Sequence, residues 1–255
     1  MGMSLFPIHV KKQSGIFDLY ECLKDGLRSG HLEILSGDVI VVSTKFAAIS
    51  EGRIIQNNTI HVSDHAQCIS DIYRIKSETA EVILRESDYI LGGMNGFVLT
   101  SASGMMAPNA GVDASNAGHD NLILYPASPH KTAEALRRRI FLDTGMLVGI
   151  ILADSRLMPG RVGTVGVAVS CTGLSPVIDM RGHLDLDKRP LKVTFQAVAD
   201  SMASASNYVM GEGSQSTPYV IVRESGAVTG GHTMPDNSMY VDPTQCIYRR
   251  SLGML

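Results

Sequence analysis

Leu147-Val148-Gly149-Ile150-Ile151-Leu152-Ala153-Asp154-Ser155 is an unbroken apolar run that stops on an acid and a hydroxyl. An apolar run this short and without alternation reads as a buried strand. A helix leads into it. Pro129 sits where a first turn tolerates proline, and the pattern runs from Lys131 through Leu136, Ile140 and Phe141 to a stop at Gly145. This buried strand ends at Asp154, so its acid is set on a rigid support.

Outward from that strand, helices and strands follow in no fixed order. Leu19, Cys22, Leu23 and Leu27 predict a helix over Phe17 to Leu27 that stops near Gly30. Asp38 to Thr44 reads as a second buried strand behind the Ser36-Gly37 turn. Ser77 is a candidate N-cap for a helix to Asp88, with Ala80, Val82, Ile83 and Tyr89 as its apolar residues. Asn121 to Tyr125, Gly163 to Ser170, Leu191 to Val193 and Pro218 to Arg223 read as strands. From Phe195 the period becomes helical, with Val198, Ala199, Met202, Ala205 and Val209 on one side. No repeat or low-complexity linker divides the chain, and the tail after Gly231 adds no pattern. The expected class is α+β, or irregular α/β, since the alternation of a doubly wound sheet is absent.

Composition narrows the function classes. Apolar residues make up 44% and charged residues 18% of the 255, which excludes a disordered chain. A net charge of −3 gives no basic field for nucleic acid. No apolar run is long enough to cross a bilayer, and Met1 to His9 lacks the features of a signal peptide, so a cytoplasmic protein is expected. Cys22, Cys68, Cys171 and Cys246 are too scattered for a zinc knuckle or redox pair and are expected to be buried free thiols. With no Gly-Lys dipeptide there is no P-loop, and Gly211-Glu-Gly213 lacks the third glycine of a dinucleotide fingerprint. His-Glu-x-x-His and Gly-x-Ser-x-Gly are absent too.

Three acids stand in polar, glycine-bearing settings beside apolar elements. They are Asp113 in Asn109-Ala-Gly-Val-Asp-Ala-Ser-Asn116, Asp154, and Glu212 in Met210-Gly-Glu-Gly213. Phosphate chemistry with magnesium or manganese needs a few hard carboxylate oxygens, completed by water and phosphate. Taken singly, a strand-end Asp is more often a cap or turn residue, and Gly-Glu-Gly a plain loop.

Together these segments resemble the coenzyme F420-0:L-glutamate ligase (F420 γ-glutamyl ligase) family. Asn109 to Asn116 is similar to its signature. Ala133-Glu-Ala-Leu-Arg-Arg-Arg-Ile140, Ala153-Asp-Ser155, Arg161-x-Gly163, Arg181-Gly-x-x-Asp185 and Arg189-Pro-Leu191 follow in the same order. Val198-Ala-Asp200, Val209-Met-Gly-Glu-Gly213 and Pro218-x-Val-x-Val-Arg223 complete the series, while Phe6-Pro7, Asp38-Val-x-Val-Val42 and Ser50-Glu-Gly-Arg53 match at the front. The likeness spans about residues 5 to 224.

The resemblance implies one domain over residues 1–255, made of two intertwined subdomains, acting as a homodimer. It implies a GTP-dependent ligase that activates a carboxylate as an acyl phosphate and joins L-glutamate to a deazaflavin phosphoester, with a second glutamate γ-linked. Carried over, Asp113 and Asp154 are metal ligands and catalytic, with Ser155 and Glu212 as further ligands for Mg2+ or Mn2+, and K+ as an additional ion. His9, Val10, Lys11, Lys12, Asn116, Gly211, Gly213, Ser214 and Gln215 would contact the nucleotide. Thr44 and Lys45 would approach its phosphates, Lys45 with a catalytic role as well. Glycine amides and a Lys supply donors for the charge that builds on the transferred phosphoryl group.

The chain departs from the family pattern in places. Ile49 replaces a lysine, Leu157-Met-Pro-Gly160 stands before Arg161, and Lys188 occupies a position usually glycine. These leave open an amide ligase with another phosphorylated acceptor, and a non-catalytic nucleotide-binding paralogue. Elsewhere plainer readings compete with functional ones. His61 and His65 have helical spacing for a metal but follow a strand and Asn57-Asn58. Arg137 to Arg139 reads as a solvated helix face, Met202 as a core filler, and Asp185 with Asp187 as support for a turn.

Overall fold

The run around Ile150 is a strand inside a five-stranded sheet, with both faces covered as its lack of alternation requires. The computed structural model describes residues 2–115, 118, 120–229 and 239–251. The chain enters the sheet with β1 (Ser4–Ile8), then α1 (Leu19–Ser29), β2 (Val39–Ser43) and the short α2 (Thr44–Ser50). A second unit follows: β3 (Ile54–Gln56), α3 (Asp64–Tyr73), α4 (Ser77–Glu86), β4 (Tyr89–Met94), β5 (Phe97–Ala102), β6 (Met105–Pro108) and β7 (Asn121–Ile123). The first unit resumes with α5 (Pro129–Thr144), β8 (Gly149–Leu157), β9 (Thr164–Thr172), β10 (Val177–Asp179), β11 (Phe195–Ala197), α6 (Val198–Met210) and β12 (Tyr219–Arg223). A last helix, α7 (Ile247–Ser251), belongs to the second unit. The first unit comprises residues 1–50 and 128–239, the second 51–127 and 240–255. The fold is α+β.

The sheet order is β1-β12-β2-β8-β9, with β2 and β8 parallel and all other neighbours antiparallel. Ile40, Val42, Ile150 and Leu152 pack with Leu23 of α1 and Leu136 and Ile140 of α5. The alternate residues Val39, Val41 and Ile151 pack with Val198, Ala199, Met202 and Ala203 of α6. Each such fully buried aliphatic side chain contributes about 2 kcal/mol. Asp18 caps α1 by accepting from the N–H of Tyr20 and Glu21, and Gly26 lets the helix lie close on β1: a Cβ there would come 2.5 Å from Ile8 Cγ2. Gly145 ends α5 at φ 73°, and its N–H donates to Phe141 O.

Several expectations shift. Leu191 to Val193 is not a strand; Phe195–Ala197 is, paired with β10, so α6 starts at Val198, whose N–H donates to Pro176 O. The buried face of α6 runs through Met202, Ala203, Ser206 and Met210, which leaves Ala205 and Val209 at its flank. Lys76, not Ser77, is the residue before α4, and no side chain caps it. Tyr89 lies on β4, past the end of α4. Phe141 is exposed on α5, while Arg137 is held against Glu134 and is less solvated than the arginine run suggested. Of the free thiols only Cys171 is buried, and Cys68 is exposed.

In the second unit β4, β5 and β6 form an antiparallel sheet, and β3 pairs with β7. Val82 and Ile83 of α4 pack with Val98, Leu122 and Leu124. Glu81 ties α3 to α4: its carboxylate accepts from the N–H and hydroxyl of Ser63, the N-cap of α3, and pairs with Arg85. His61 precedes α3 and His65 lies on it. No helix among the described residues is long and apolar enough to cross a membrane.

Candidate functional site

Strand direction decides what meets at one end of the five-stranded sheet. β2 and β8 are parallel, so their carboxyl ends open on the same edge, and β12 runs against both β1 and β2, so its start and the end of β1 open there too. Crevices outside the carboxyl ends of parallel strands commonly take ligands. His9 to Lys12 follow β1, Thr44 and Lys45 follow β2, Asp154 and Ser155 lie near the end of β8, and Gly211 to Gln215 precede β12. The first unit therefore gathers these widely separated candidates at one edge.

Main-chain bonds fix the gathering. Val10 N donates to Ser216 O at 3.0 Å, and the Ser216 hydroxyl donates to Val10 O at 2.7 Å. Ser43 N donates to Pro218 O at 2.9 Å. Because Ser43 is paired with Ala153, the next residues stand side by side, and the Thr44 hydroxyl donates to Asp154 Oδ1 at 3.3 Å. Strand alternation sends the Ser155 side chain to the opposite face from the Asp154 carboxylate. In the glycine loop, Gly211 has φ 72°, and a Cβ there would meet the Gln215 amide at 2.5 Å. Gly213 N donates to Gln215 Oε1 at 2.8 Å. Glu212 Oε1 accepts from Thr164 Oγ1 and Asn207 Nδ2, each at 2.9 Å, which ties it to the start of β9 and to α6.

A groove of about 810 Å³ runs between the end of β1 and α1, and His9, Val10 and Lys11 line it. Its α1 side carries Asp18, Glu21 and Asp25. The N–H of Glu21, foremost, and Arg139 hold the Asp18 carboxyl below its usual range. The volume falls within the range of small-molecule sites.

Asp113, in the second unit, is held differently. Its backbone exchanges two hydrogen bonds with Ile123, at 2.9 and 2.8 Å. Its carboxylate accepts from Ser115 N at 2.6 Å and from the Ser115 hydroxyl at 2.9 Å. Three left-handed residues precede it: Asn109 (φ 51°), Ala110 (φ 51°) and Gly111 (φ 74°). Two bonds to β5 hold that run: Val98 N donates to Asn109 Oδ1 at 2.8 Å, and Ala110 N donates to Thr100 Oγ1 at 3.1 Å. Asn116 lies outside the described residues.

The F420-0:Gamma-glutamyl ligase family model matches residues 11–224. The chain belongs to that family. The Coenzyme F420:L-glutamate ligase of Methanopyrus kandleri is 38% identical over 192 residues, 75% of this chain and 76% of the relative. Those of Archaeoglobus fulgidus and Methanothermobacter thermautotrophicus are each 34% identical, over 89% and 88% of this chain and 90% and 89% of theirs.

Within this F420-0:gamma-glutamyl ligase fold the donors around Asp154 are carboxylate and hydroxyl oxygens, the hard kind that Mg2+ and Mn2+ take. The Asp154 side chain is 24% exposed, open enough to take an ion. Among the described residues no group of three or more His, Cys, Asp or Glu side chains is arranged to hold a metal, His61 and His65 included. The remaining ligands of a site at Asp154 would be hydroxyls, main-chain oxygens, water or phosphate. One residue escaped sequence reasoning: Arg156, buried, with Nε 3.5 Å from Asp154 Oδ2. The signal was available, because residues two apart on a strand share a face.

Proposed function

We propose that this chain is a GTP- and metal-dependent ligase that joins L-glutamate to the deazaflavin precursor coenzyme F420-0, and then a further γ-linked glutamate. The observation that carries this reading is Asp154, set against Thr44 at the carboxyl ends of two parallel strands, in a chain of this family. The adjoining His9–Lys12 segment and Gly211–Gln215 loop supply main-chain and lysine donors for a nucleotide.

In the reaction a carboxylate oxygen of the acceptor attacks the γ-phosphorus of GTP, the bond to the bridging oxygen breaks, and GDP leaves. The amine of glutamate then attacks the acyl carbon, inorganic phosphate leaves with its oxygen, and the nitrogen loses a proton to give the amide. Asp154, Asp113 and Glu212, with Ser155, are assigned to holding Mg2+ or Mn2+, which when bound offsets charge on the phosphate oxygens. Lys45, Thr44 and the amides of Gly211 and Gly213 are assigned to orienting the phosphates, with Ser214 and Gln215 closing the loop around them. K+ has no residue set assigned to it.

The active form is proposed to be a homodimer. Between Ile178 and Ala197 almost every residue is exposed, including Leu184, Leu186, Val193 and Phe195. A two-stranded hairpin is marginal alone in water. Its charges, Asp179, Asp185 and Asp187 against Arg181, Lys188, Arg189 and Lys192, are mixed and self-complementary, which suits a second copy of the same surface. Light scattering at micromolar concentration should give a dimer, and a monomer there rules it out.

GDP should be released only when GTP, L-glutamate, F420-0 and Mn2+ or Mg2+ are all present, and the product should gain the mass of glutamate. Tight GTP binding without turnover would sink the ligase reading. Release with a different phosphorylated acceptor would favour the second one, which the exposed Leu157 and Met158 at the β8–β9 turn motivate.

A further inference from the structure

β8 carries an arginine whose surroundings ask for a role. Arg156 shares a strand face with Asp154, and its side chain is only 9% exposed against 24% for the acid. Burying a guanidinium is costly unless opposite charge answers it. Here the carboxylate of Asp154 does so at 3.5 Å, while its other oxygen takes the Thr44 hydroxyl at 3.3 Å. A closed charge-assisted bond would be about 2.8 Å. The pair is loose on the side where the acid is open.

We propose that Arg156 is a positioning residue: it keeps the Asp154 carboxylate aimed in the cation-free protein and cedes it to a divalent cation on binding. This rests on the reading of Asp154 as a cation ligand. Once the cation is seated, two positive charges face each other across one carboxylate. Arg156 therefore competes with the cation and keeps its affinity low until a nucleotide brings further negative charge.

The test is Mn2+ titration, by calorimetry or electron paramagnetic resonance, of the full-length protein without nucleotide. Arg156→Gln should bind Mn2+ at least about threefold tighter than wild type, since a positive charge has left the neighbourhood. Arg156→Lys should restore wild-type affinity, and in both variants circular dichroism should report an intact fold. Should Gln not fold, Arg156→Met keeps the apolar stem and carries the same expectation. Equal or weaker Mn2+ binding in a folded, uncharged variant overturns the proposal and leaves the ligase reading standing. No Mn2+ binding by the wild type overturns the cation reading of Asp154, and this inference with it.

Discussion

Asp154 and Asp113 share one expected role, yet the chain holds them by unlike means. Asp154 takes its place from a nine-residue strand whose neighbours Ile150, Ile151 and Leu152 are fully buried, so its position is set by the whole sheet. Asp113 takes its place from Asn109, Ala110 and Gly111, three consecutive left-handed residues pinned to Val98 and Thr100. Left-handed backbone costs a non-glycine residue about 1 kcal/mol and persists only where the surroundings over-determine it. One acid is placed by many weak contacts, the other by a few indispensable ones.

The first way to sharpen that contrast is to remove charge without moving the frame. Asp154→Asn should lower kcat about a thousandfold while the melting temperature stays put, because the sheet and not the carboxylate sets the strand. Asp113→Asn should lower kcat as well, and should also loosen the loop, since the carboxylate bonds to Ser115 on both oxygens. Hydrogen exchange at Asn109 to Ser115 separates the two cases. Near-normal turnover in Asp154→Asn removes that residue from the ligand set.

The second way is to make one substitution in both frames. A Cβ on Gly111 would lie 2.2 Å from the Tyr125 ring, at φ 74°, so Gly111→Ala should cost about 3 kcal/mol in urea unfolding. Gly149→Ala in β8 meets the flexible end of Leu174 at 2.8 Å and should cost nearer 1 kcal/mol. Equal costs would break the distinction between a distributed frame and a local one.

The same distinction explains what the sequence could disclose. β8, α5 and β12 are legible because uninterrupted apolar runs and helical periods survive in the one-dimensional pattern. The β4-β5-β6 sheet is not: Tyr89, Met94 and Phe97 are exposed, Gly92, Gly93, Gly96 and Gly104 interrupt it, and no clean alternation remains. α2 is short and follows its strand without a break, so no period forms. Leu191 to Val193 read as a strand because its residues are apolar, but they lie in an arm where burial does not select the pattern. In the site, Asp154 was legible as a strand-end acid. The meeting of Val10 with Ser216 was not, because only the antiparallel pairing of β1 with β12 brings such distant residues together. The family likeness supplied what periodicity could not.

Glu81 gives a third test, at a joint inside the second unit. The Ser63 hydroxyl, then the Ser63 N–H, hold its carboxyl down to about 2. A depressed folded pKa means this stabilisation is fully present above the unfolded value of about 4.3 and is lost as pH falls toward 2. Glu81→Gln should cost about 2 kcal/mol at neutral pH. Its melting temperature should then fall less steeply than wild type between those two pH values. Parallel acid profiles would remove Glu81 as the tie between α3 and α4.

Lys188 offers the smallest effect and the plainest contrast with the Asp113 loop. It too is left-handed, at φ 63°, but the bonds that hold it are those of its own turn: its N–H donates to Asp185 O, and Asp185 Oδ1 accepts from the N–H of Asp187 and Arg189. With no packed frame around it, the strain should be relieved by glycine at little cost, so Lys188→Gly should stabilise the arm by about 0.5 kcal/mol. At Ala110 the αL residue is buried and its N–H bonded to Thr100, so glycine there should bring less relief than it removes in packing. Hydrogen exchange in residues 178–197 reads the first change and urea unfolding the second. If the arm is covered by a second copy, the gain at Lys188 should appear as tighter dimerisation, with the monomer's unfolding midpoint unmoved.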